Sequence, residues 1–215
     1  MSTEFQLCYI TDRHALAPAP LPPLITEAIR AGVDLIQIRE KDLPAPALIE
    51  LVRSSVETAR ETKTRILVND RLDTAVALDA AGVHLGRQSL PAQTVRECVP
   101  AGFLVGVSCH SIQEALEAEA AAADYVLLGP VFATPSKAAY GPPLGLAKLR
   151  EVTARVRIPV LALGGITVER VRECREAGAC GVAGISLFQR AASLPERVHE
   201  LRAQLCPGSI HRNIE

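Results

Sequence analysis

Short apolar segments alternate with amphipathic segments along nearly the whole chain. The apolar segments are three to five residues long, which is typical of strands buried on both faces, and the segments between them have helical spacing. Strands are predicted at residues 7–11, 35–38, 65–68, 83–85, 104–107, 125–128, 160–163 and 181–185. Helices are predicted at residues 24–31, 45–61, 71–80, 92–98, 112–123, 146–156, 168–177 and 194–205.

Eight strand–helix pairs within 215 residues predict an α/β protein, a (β/α)8 TIM barrel. The alternative is a doubly wound open sheet, but the count of eight favours the barrel. No linker composition or charged block divides the chain, so residues 1–215 are predicted to form a single domain. Residues 15–23, which contain four prolines, are predicted to be a stiff, extended connector.

Composition narrows the class of protein further. The net charge is −1, the pI is near 6.5 and Trp is absent, so neither a general nucleic-acid binder nor an anionic-membrane binder is expected. No apolar run approaches the roughly 18 residues of a membrane span, and the N-terminus has no secretory-signal pattern. The six cysteines show no Cys-x-x-Cys spacing. We therefore predict a reduced, cytoplasmic protein.

Polar residues follow almost every predicted strand. In a (β/α)8 barrel the chemistry lies at the C-terminal ends of the strands, so residues from distant parts of the sequence meet there. The candidates, in chain order, are Thr11, Asp12, Gln37, Arg39, Lys41, Asn69, Asp70, His84, Ser108, His110, Ser111, Thr134, Ser136, Lys137, Gly164, Gly165 and Ser186.

This set of side chains indicates a phosphate-binding pocket. Arg39, Lys41 and Lys137 supply positive charge, while Thr134 and Ser136 supply hydroxyl donors. Two loops follow strands and suit phosphate, one at residues 129–137 and one beginning with two glycines at residue 164. A carboxylate at Asp70, among so many cations, indicates a bound Mg²⁺ that joins it to phosphate oxygens.

Each of these residues also has a structural interpretation. Arg39 and Lys41 could be a solvated charge pair, and His84 a hydrogen-bonded core histidine. His110 could begin a helix, because Ser111 and Ser108 are both suitable N-caps. Taken singly, the two interpretations are about evenly matched. Taken jointly, the convergence on one end of the barrel favours a binding site.

These motifs, in this order, resemble the thiamine phosphate synthase and thiazole tautomerase superfamily. The most specific pieces are the segment from Gln37 to Lys41, the pair Asn69-Asp70, residues 82–86, residues 124–137, and Gly164-Gly165. The resemblance spans almost the whole chain and implies the (β/α)8 fold. It also implies an enzyme of thiamine biosynthesis, with small phosphorylated substrates and a homodimeric assembly.

The resemblance to the synthase implies a condensation of hydroxymethylpyrimidine pyrophosphate with thiazole phosphate, which gives thiamine phosphate and pyrophosphate. It assigns the pyrimidine pyrophosphate to Gln37, Arg39, Lys41, Asn69 and Lys137, and Mg²⁺ to Asp70. It assigns the thiazole phosphate to Thr134, Ser136, Gly165 and Ser186. The predicted substrate-binding residues also include His84, Ser108, Gly164 and Ile185, and the predicted catalytic residues are His110, Lys137 and Arg39.

One position departs from the synthase pattern. A second Mg²⁺-binding Asp is expected after Gly86, but Ser89 stands there, and a neutral hydroxyl is a poorer ligand for a hard dication. The expectation of Mg²⁺ is weaker for this reason. The tautomerase lacks that Asp too, and residues 108–111 match its Ser-x-His-Ser segment. The alternative function is therefore a thiazole phosphate tautomerase with His110 as general acid and base.

Two further hypotheses stay open at this level. The first is a non-catalytic binder of thiamine precursors with a regulatory purpose. The second is another phosphate-binding barrel that acts on a sugar phosphate, which ranks low because no carboxylate pair or Schiff-base lysine is evident on an interior strand. The retained pyrophosphate-binding residues favour the synthase.

Overall fold

The computed structural model describes residues 6–16, 20–134 and 142–205. Eight parallel strands close into a barrel in sequence order, each hydrogen-bonded to the next and β8 to β1. The strands are β1 (Leu7–Ile10), β2 (Leu35–Ile38), β3 (Arg65–Asn69), β4 (Gly82–Leu85), β5 (Leu104–Cys109), β6 (Tyr125–Leu128), β7 (Val160–Leu163) and β8 (Gly181–Gly184). The predicted barrel is confirmed, and the open sheet is excluded.

The described helices cover the outside of the barrel. They are α1 (Leu21–Arg30), α2 (Ala45–Ala59), α3 (Leu72–Ala77), α4 (Ala92–Cys98), α5 (Ile112–Ala120), α6 (Gly145–Thr153), α7 (Val168–Glu176), α8 (Ser186–Gln189) and α9 (Leu194–Leu205). A short 3-10 helix, Arg13–Ala15, follows β1. None of these helices is both long and apolar enough to cross a bilayer.

The connector after β1 differs from the prediction. The α1 helix begins at Leu21, three residues before the expected start, and Pro22 and Pro23 lie in its first turn. Proline is tolerated there because the first backbone N–H groups of a helix have no partner within the helix. Residue 15, the first of the predicted connector, ends a 3-10 helix and is not extended. Residues 17–19 lie outside the described part of the chain.

Alternation along the strands separates two hydrophobic cores. One row of side chains fills the barrel, with Cys8, Ile10, Leu35, Leu67, Tyr125, Leu127, Leu161 and Ala183 buried together. The other row packs against the helices in a much larger cluster. A Cβ atom at Gly106 would overlap the Tyr125 ring, so this glycine gives the tyrosine room inside the barrel.

Candidate active site

Four polar side chains lie inside the barrel near the C-terminal ends of its strands. Gln37 and Asn69 come two positions after the interior residues Leu35 and Leu67, and alternation puts them on the same inner face. His84 pairs with Asn69 across β3 and β4 and reaches Ser108 on β5. The structure thus brings these four predicted residues together at one end of the barrel.

His84 is the best-connected member of this group. It is 2% exposed; its Nδ1 atom lies 3.1 Å from the Tyr125 hydroxyl and its Nε2 atom 2.8 Å from Ser108 Oγ. Burial, with a smaller contribution from the charge of Arg39, lowers the pKa of His84 from 6.5 to about 3. The imidazole is therefore neutral at physiological pH, and it holds the Ser108 side chain at the C-terminal ends of the strands, an opening that we call the barrel mouth.

Gln37 carries a buried donor that no described group pairs with. The residue is 1% exposed, yet its Nε2 atom has no hydrogen-bond partner among the described residues. A buried amide donor without an acceptor costs about 1–3 kcal/mol. An acceptor brought by a ligand at the barrel mouth would recover this free energy, which makes Gln37 a strong candidate for binding.

The segment after β2 places two cations beside Gln37. Arg39 is half-buried, and its backbone N–H donates to Thr11 Oγ1 at 2.8 Å. Its charge is close enough to His84 to lower that histidine's pKa, so it contributes to the electrostatics of the barrel interior. Lys41 is exposed in the following turn. Within the described chain neither Arg39 nor Lys41 forms an ion pair, and both charges are available to an anion.

The loops after β6 and β7 lie against each other. The backbone N–H of Val131 donates to Leu163 O at 2.8 Å, and that of Phe132 donates to Gly164 O at 3.0 Å. Gly165 has φ +65°, and a Cβ atom there would lie 2.6 Å from Ala133 O. The two loops can approach this closely only because position 165 carries no side chain.

Arg170 on α7 fixes the same loop from outside. Its Nη1 atom donates to Gly165 O at 2.8 Å, and its guanidinium lies 4.5 Å from the centre of the Phe132 ring. Thr134, a predicted phosphate ligand, follows this contact and is half-buried. Two other predicted ligands of the same loop, Ser136 and Lys137, lie outside the described residues.

His110 and Ser111 begin the segment after β5. The His110 ring is exposed, and its Nδ1 atom hydrogen-bonds to the backbone carbonyl of Gly129. This contact places the proton on Nδ1 in the neutral ring. Ser111 is the N-cap of α5, because its Oγ accepts from Glu114 N at 3.1 Å. Ser108, the other suggested cap, instead faces His84.

The predicted metal residue lies at the same end of the barrel. Asp70 follows β3, is exposed and adopts φ +65°, while its backbone N–H donates to His84 O at 2.9 Å. In the described ranges no three His, Cys, Asp or Glu side chains group closely enough to hold a metal ion. Ser89 Oγ accepts a hydrogen bond from Gly86 N at 2.7 Å. Its hydroxyl therefore serves the local turn.

These side chains fit Mg²⁺ only if the ion is shared between the protein and a bound substrate. Mg²⁺ can be held by one or two carboxylates together with substrate phosphates and water. Asp70 can supply one carboxylate, and Ser89 does not supply a second charge. The donor set suits an ion that arrives with a phosphorylated substrate, and it does not suit an ion caged by the protein alone.

The remaining predicted residues lie at the end of β8. Ile185 precedes α8 and packs beside the interior cluster, and Ser186 is the exposed first residue of that helix. The sequence interpretation missed Tyr125 and Arg170, and it named Thr11 only as a polar residue after β1. Thr11 could have been assigned a role, since it directly follows a strand. The other two depend on contacts between distant segments.

A separate cleft opens at the other end of the barrel. It has a volume of about 1030 Å³ and is bordered by the segments before β3, β4 and β5, including Lys63 and Arg65. Because active sites of (β/α)8 barrels lie at the C-terminal ends of the strands, we do not assign the chemistry to this cleft. Fold and mouth together define an enzyme of the (β/α)8-barrel class.

Comparison with known proteins narrows the class to a family. The family model described as thiamine monophosphate synthase matches residues 7–188. A relative from Geobacter sulfurreducens, provisionally named a thiamine-phosphate synthase, is 45% identical over 95% of this chain and 96% of its own length. The thiamine-phosphate synthase of Roseiflexus castenholzii is 43% identical over 82% of this chain and 78% of its own.

A comparison with solved structures indicates the same family as these relatives. Thiamine phosphate pyrophosphorylase from Pyrococcus furiosus superposes with a TM-score of 0.84, at 35% identity, and covers 94% of this chain and 95% of its own. The chain belongs to the thiamine monophosphate synthase family. It is a transferase of thiamine biosynthesis, and the names of its relatives favour the synthase over the tautomerase.

Proposed function

We propose that the barrel mouth joins hydroxymethylpyrimidine pyrophosphate to thiazole phosphate, with release of pyrophosphate. The observation that carries this assignment of the site is the buried Nε2 atom of Gln37, which has no hydrogen-bond partner among the described residues, together with Arg39 and Lys41, which form no ion pair within them. An amide donor and two cations on one strand end suit a ligand rich in acceptor oxygens and negative charge. A pyrophosphate has both properties.

The two cations that follow β2, Arg39 and Lys41, act on the pyrophosphate leaving group. As the carbon–oxygen bond of the pyrimidine substrate breaks, negative charge grows on the departing pyrophosphate. Arg39 and Lys41 stabilise that charge more strongly in the transition state than in the ground state, which accelerates the step. Asn69 and Asp70, at the end of β3, lie on the side of the barrel mouth next to β2. Mg²⁺, when held by Asp70 and the substrate, would add positive charge at the same oxygens.

The second substrate is placed by the opposite side of the mouth. Thr134, Gly164 and Gly165 lie on the paired loops after β6 and β7, and Ser186 begins α8. We assign the thiazole phosphate to this side, together with Ser136, and we keep Lys137 as a ligand of the pyrimidine pyrophosphate. The thiazole nitrogen then captures the cationic pyrimidine methylene, so the protein has to position two reactants and needs no nucleophilic side chain.

His84 and Ser108 lie between the two sides. Because His84 is neutral and hydrogen-bonded to Tyr125, it holds the Ser108 side chain in place through its other ring nitrogen. We assign Ser108 and His84 to substrate binding. His110 is oriented through Gly129, on the loop that carries Thr134. This contact supports a role for His110 near the thiazole side.

Product analysis with purified protein tests the proposal. With Mg²⁺ and both substrates, we expect thiamine phosphate and pyrophosphate in equal amounts. The protein is also given a carboxythiazole phosphate tautomer alone. Aromatisation of that compound without any condensation would replace the proposal with the tautomerase, and binding without either reaction would replace it with a non-catalytic binder.

A variant tests the role of the metal. Ser89→Asp introduces the second carboxylate that the synthase pattern has at this position, and we expect the Mg²⁺ concentration for half-maximal pyrophosphate release to fall about tenfold. An aspartate can still accept from Gly86 N, so the turn is retained. Ser89→Asn is the matched control, since it keeps the acceptor without the charge. Equal Mg²⁺ dependence in the two variants would contradict the metal assignment.

A further inference from the structure

The segment after β2 carries two carboxylates in addition to its two cations. The order is Arg39, Glu40, Lys41 and Asp42, so opposite charges alternate along four consecutive residues. If the carboxylates turned toward the cations, the four charges would cancel and the segment would attract no anion. The way in which the structure keeps them apart therefore matters for the proposed function.

Arg13 holds both carboxylates on the outer side of this segment. Its Nη1 atom lies 3.2 Å from Glu40 Oε2 and 2.7 Å from Asp42 Oδ1, and its Nη2 atom lies 2.5 Å from Asp42 Oδ2. The Arg13 backbone N–H also donates to Glu40 Oε2 at 3.1 Å. His14 Nε2 lies 2.9 Å from Asp42 Oδ2. We call Arg13, Glu40 and Asp42 the clamp.

Hydrogen bonds hold the 3-10 helix that carries Arg13 in place. Its N-cap is Asp12, whose Oδ1 atom accepts from His14 N at 3.1 Å. The backbone carbonyl of Asp12 accepts from Gln189 Nε2 at 2.9 Å, which ties the turn to α8. The Glu40 side chain is 1% exposed, so its charge needs a partner inside the protein.

The two cations lack such partners. In the described chain Arg39 and Lys41 make no ion pair, although each neighbours a carboxylate in sequence. The guanidinium fork of Arg13 spans two carboxylates at once, a geometry that a lysine ammonium does not reproduce. The ion pair of the buried Glu40 and two of the hydrogen bonds of Asp42 depend on this fork.

We propose that Arg13 is a positioning residue that sequesters Glu40 and Asp42, and so leaves Arg39 and Lys41 free to bind the pyrophosphate group. This inference rests on the proposed function, because it names the residue on which the affinity of that same site depends. Arg13 acts through its carboxylate partners and makes no contact with the substrate. The residues proposed to bind substrate at the mouth, by contrast, contact it directly.

Two variants that differ by one exposed side chain test the clamp. Arg13→Gln with Glu40→Gln removes the guanidinium without leaving a buried charge, and Asp42, which then keeps only its exposed contact with His14, can approach Lys41. Adding Asp42→Asn to that pair removes the competing carboxylate. Binding of inorganic pyrophosphate is measured by calorimetry in low-salt buffer with Mg²⁺, and KM is measured for each substrate. Arg172→Gln, which breaks an exposed pair with Glu176 on α7, is the control.

We expect the double variant to bind pyrophosphate about fivefold more weakly than the wild type, because the negative charge of Asp42, no longer compensated by Arg13, would act from about 5 Å. The triple variant should return to within about twofold of the wild type, and the control should not change. The KM for the pyrimidine pyrophosphate should follow the same order, while the KM for thiazole phosphate stays constant. Arg13→Lys should fall between wild type and double variant.

The outcomes separate this inference from the proposed function. Equal weakening in the double and triple variants would mean that Arg13 supports the fold or contacts the ligand, and it would overturn the clamp. An unchanged double variant, or a wild type that binds no pyrophosphate, would also overturn it. A wild type that binds pyrophosphate in this Arg13-dependent way but forms no thiamine phosphate would refute the proposed function and leave the clamp standing.

Discussion

At the scale of single residues, burial decides which polar groups can change their charge. His84 illustrates this, because its two ring nitrogens contact Tyr125 and Ser108 and the residue is buried. The sequence left two interpretations open, a core histidine and a ligand. The structure makes it an interior residue that faces a candidate ligand-binding hydroxyl, so the two roles are compatible.

The lowered pKa of His84 predicts how stability depends on pH. The unfolded chain binds a proton at this residue below about pH 6.5, whereas the folded protein does so only near pH 3, so stability falls as the pH decreases through that range. Between pH 8 and pH 5 the loss is about 2 kcal/mol. Urea unfolding at several pH values should show a flatter dependence for His84→Gln. Parallel curves for wild type and variant would refute the prediction.

At the scale of elements, local patterns predicted the strands well and the connections poorly. The bounds of β2, β6 and β7 match the predicted ranges, because each is an apolar run between polar residues or turn residues. The α5 helix ends at Ala120 and not at residue 123, since Ala122 takes φ +57° to turn the chain into β6. An alanine-rich sequence gives no local signal for that turn.

The α8 helix was missed for a related reason. It has four residues, directly after β8, and it is held by long-range contacts such as the one between Gln189 and Asp12. Contacts of this kind also explain why Arg13 and Tyr125 were not among the predicted site residues. Strand ends could be identified from the sequence, but the partners that fix them could not.

The contact between the β6 and β7 loops leads to a second prediction. Gly165→Ala would place a methyl group 2.6 Å from Ala133 O and 2.8 Å from Phe132 Cβ, and we expect the loops to separate. The KM for thiazole phosphate should rise about tenfold, with a stability loss of about 1–3 kcal/mol. Steady-state kinetics and thermal unfolding measure both.

Gly32→Ala is the matched control for that change. Gly32 has φ +80° but no atom within 4 Å of the added methyl group, so it has the backbone strain without the collision. A similar stability loss with an unchanged KM is expected there. If both variants changed KM equally, the proximity of the loops would not be the cause.

At the scale of the whole molecule, one end of the barrel carries the candidate active site and the other carries contacts that stabilise the fold. The end opposite the mouth contains Asp34, whose Oδ2 atom accepts from the backbone N–H groups of Gln6 and Leu7, and whose Oδ1 atom lies 2.8 Å from Arg202 Nη2. These contacts join β1, β2 and α9 where the first strand meets the last helix. They stabilise closure of the barrel and lie far from the candidate chemistry.

We therefore predict that Asp34→Ala destabilises the protein without affecting the reaction. It leaves two backbone donors without their acceptor and removes the ion pair of Arg202, which keeps its bonds to Gly32 O and Gln6 Oε1, and the expected cost is about 3 kcal/mol. Denaturant unfolding measures this loss, and kcat and KM at a temperature where the variant is folded should equal those of the wild type. A KM change of tenfold or more would show that the two ends are coupled.

The central claim is that the mouth keeps a buried donor for the pyrophosphate group, and Gln37→Leu tests it most directly. Leucine has a similar volume and no donor, so the variant should be more stable than the wild type by about 1 kcal/mol. Loss of a hydrogen bond to a charged ligand should raise the KM for the pyrimidine pyrophosphate about tenfold or more. A variant that is less stable, with an unchanged KM, would contradict the account.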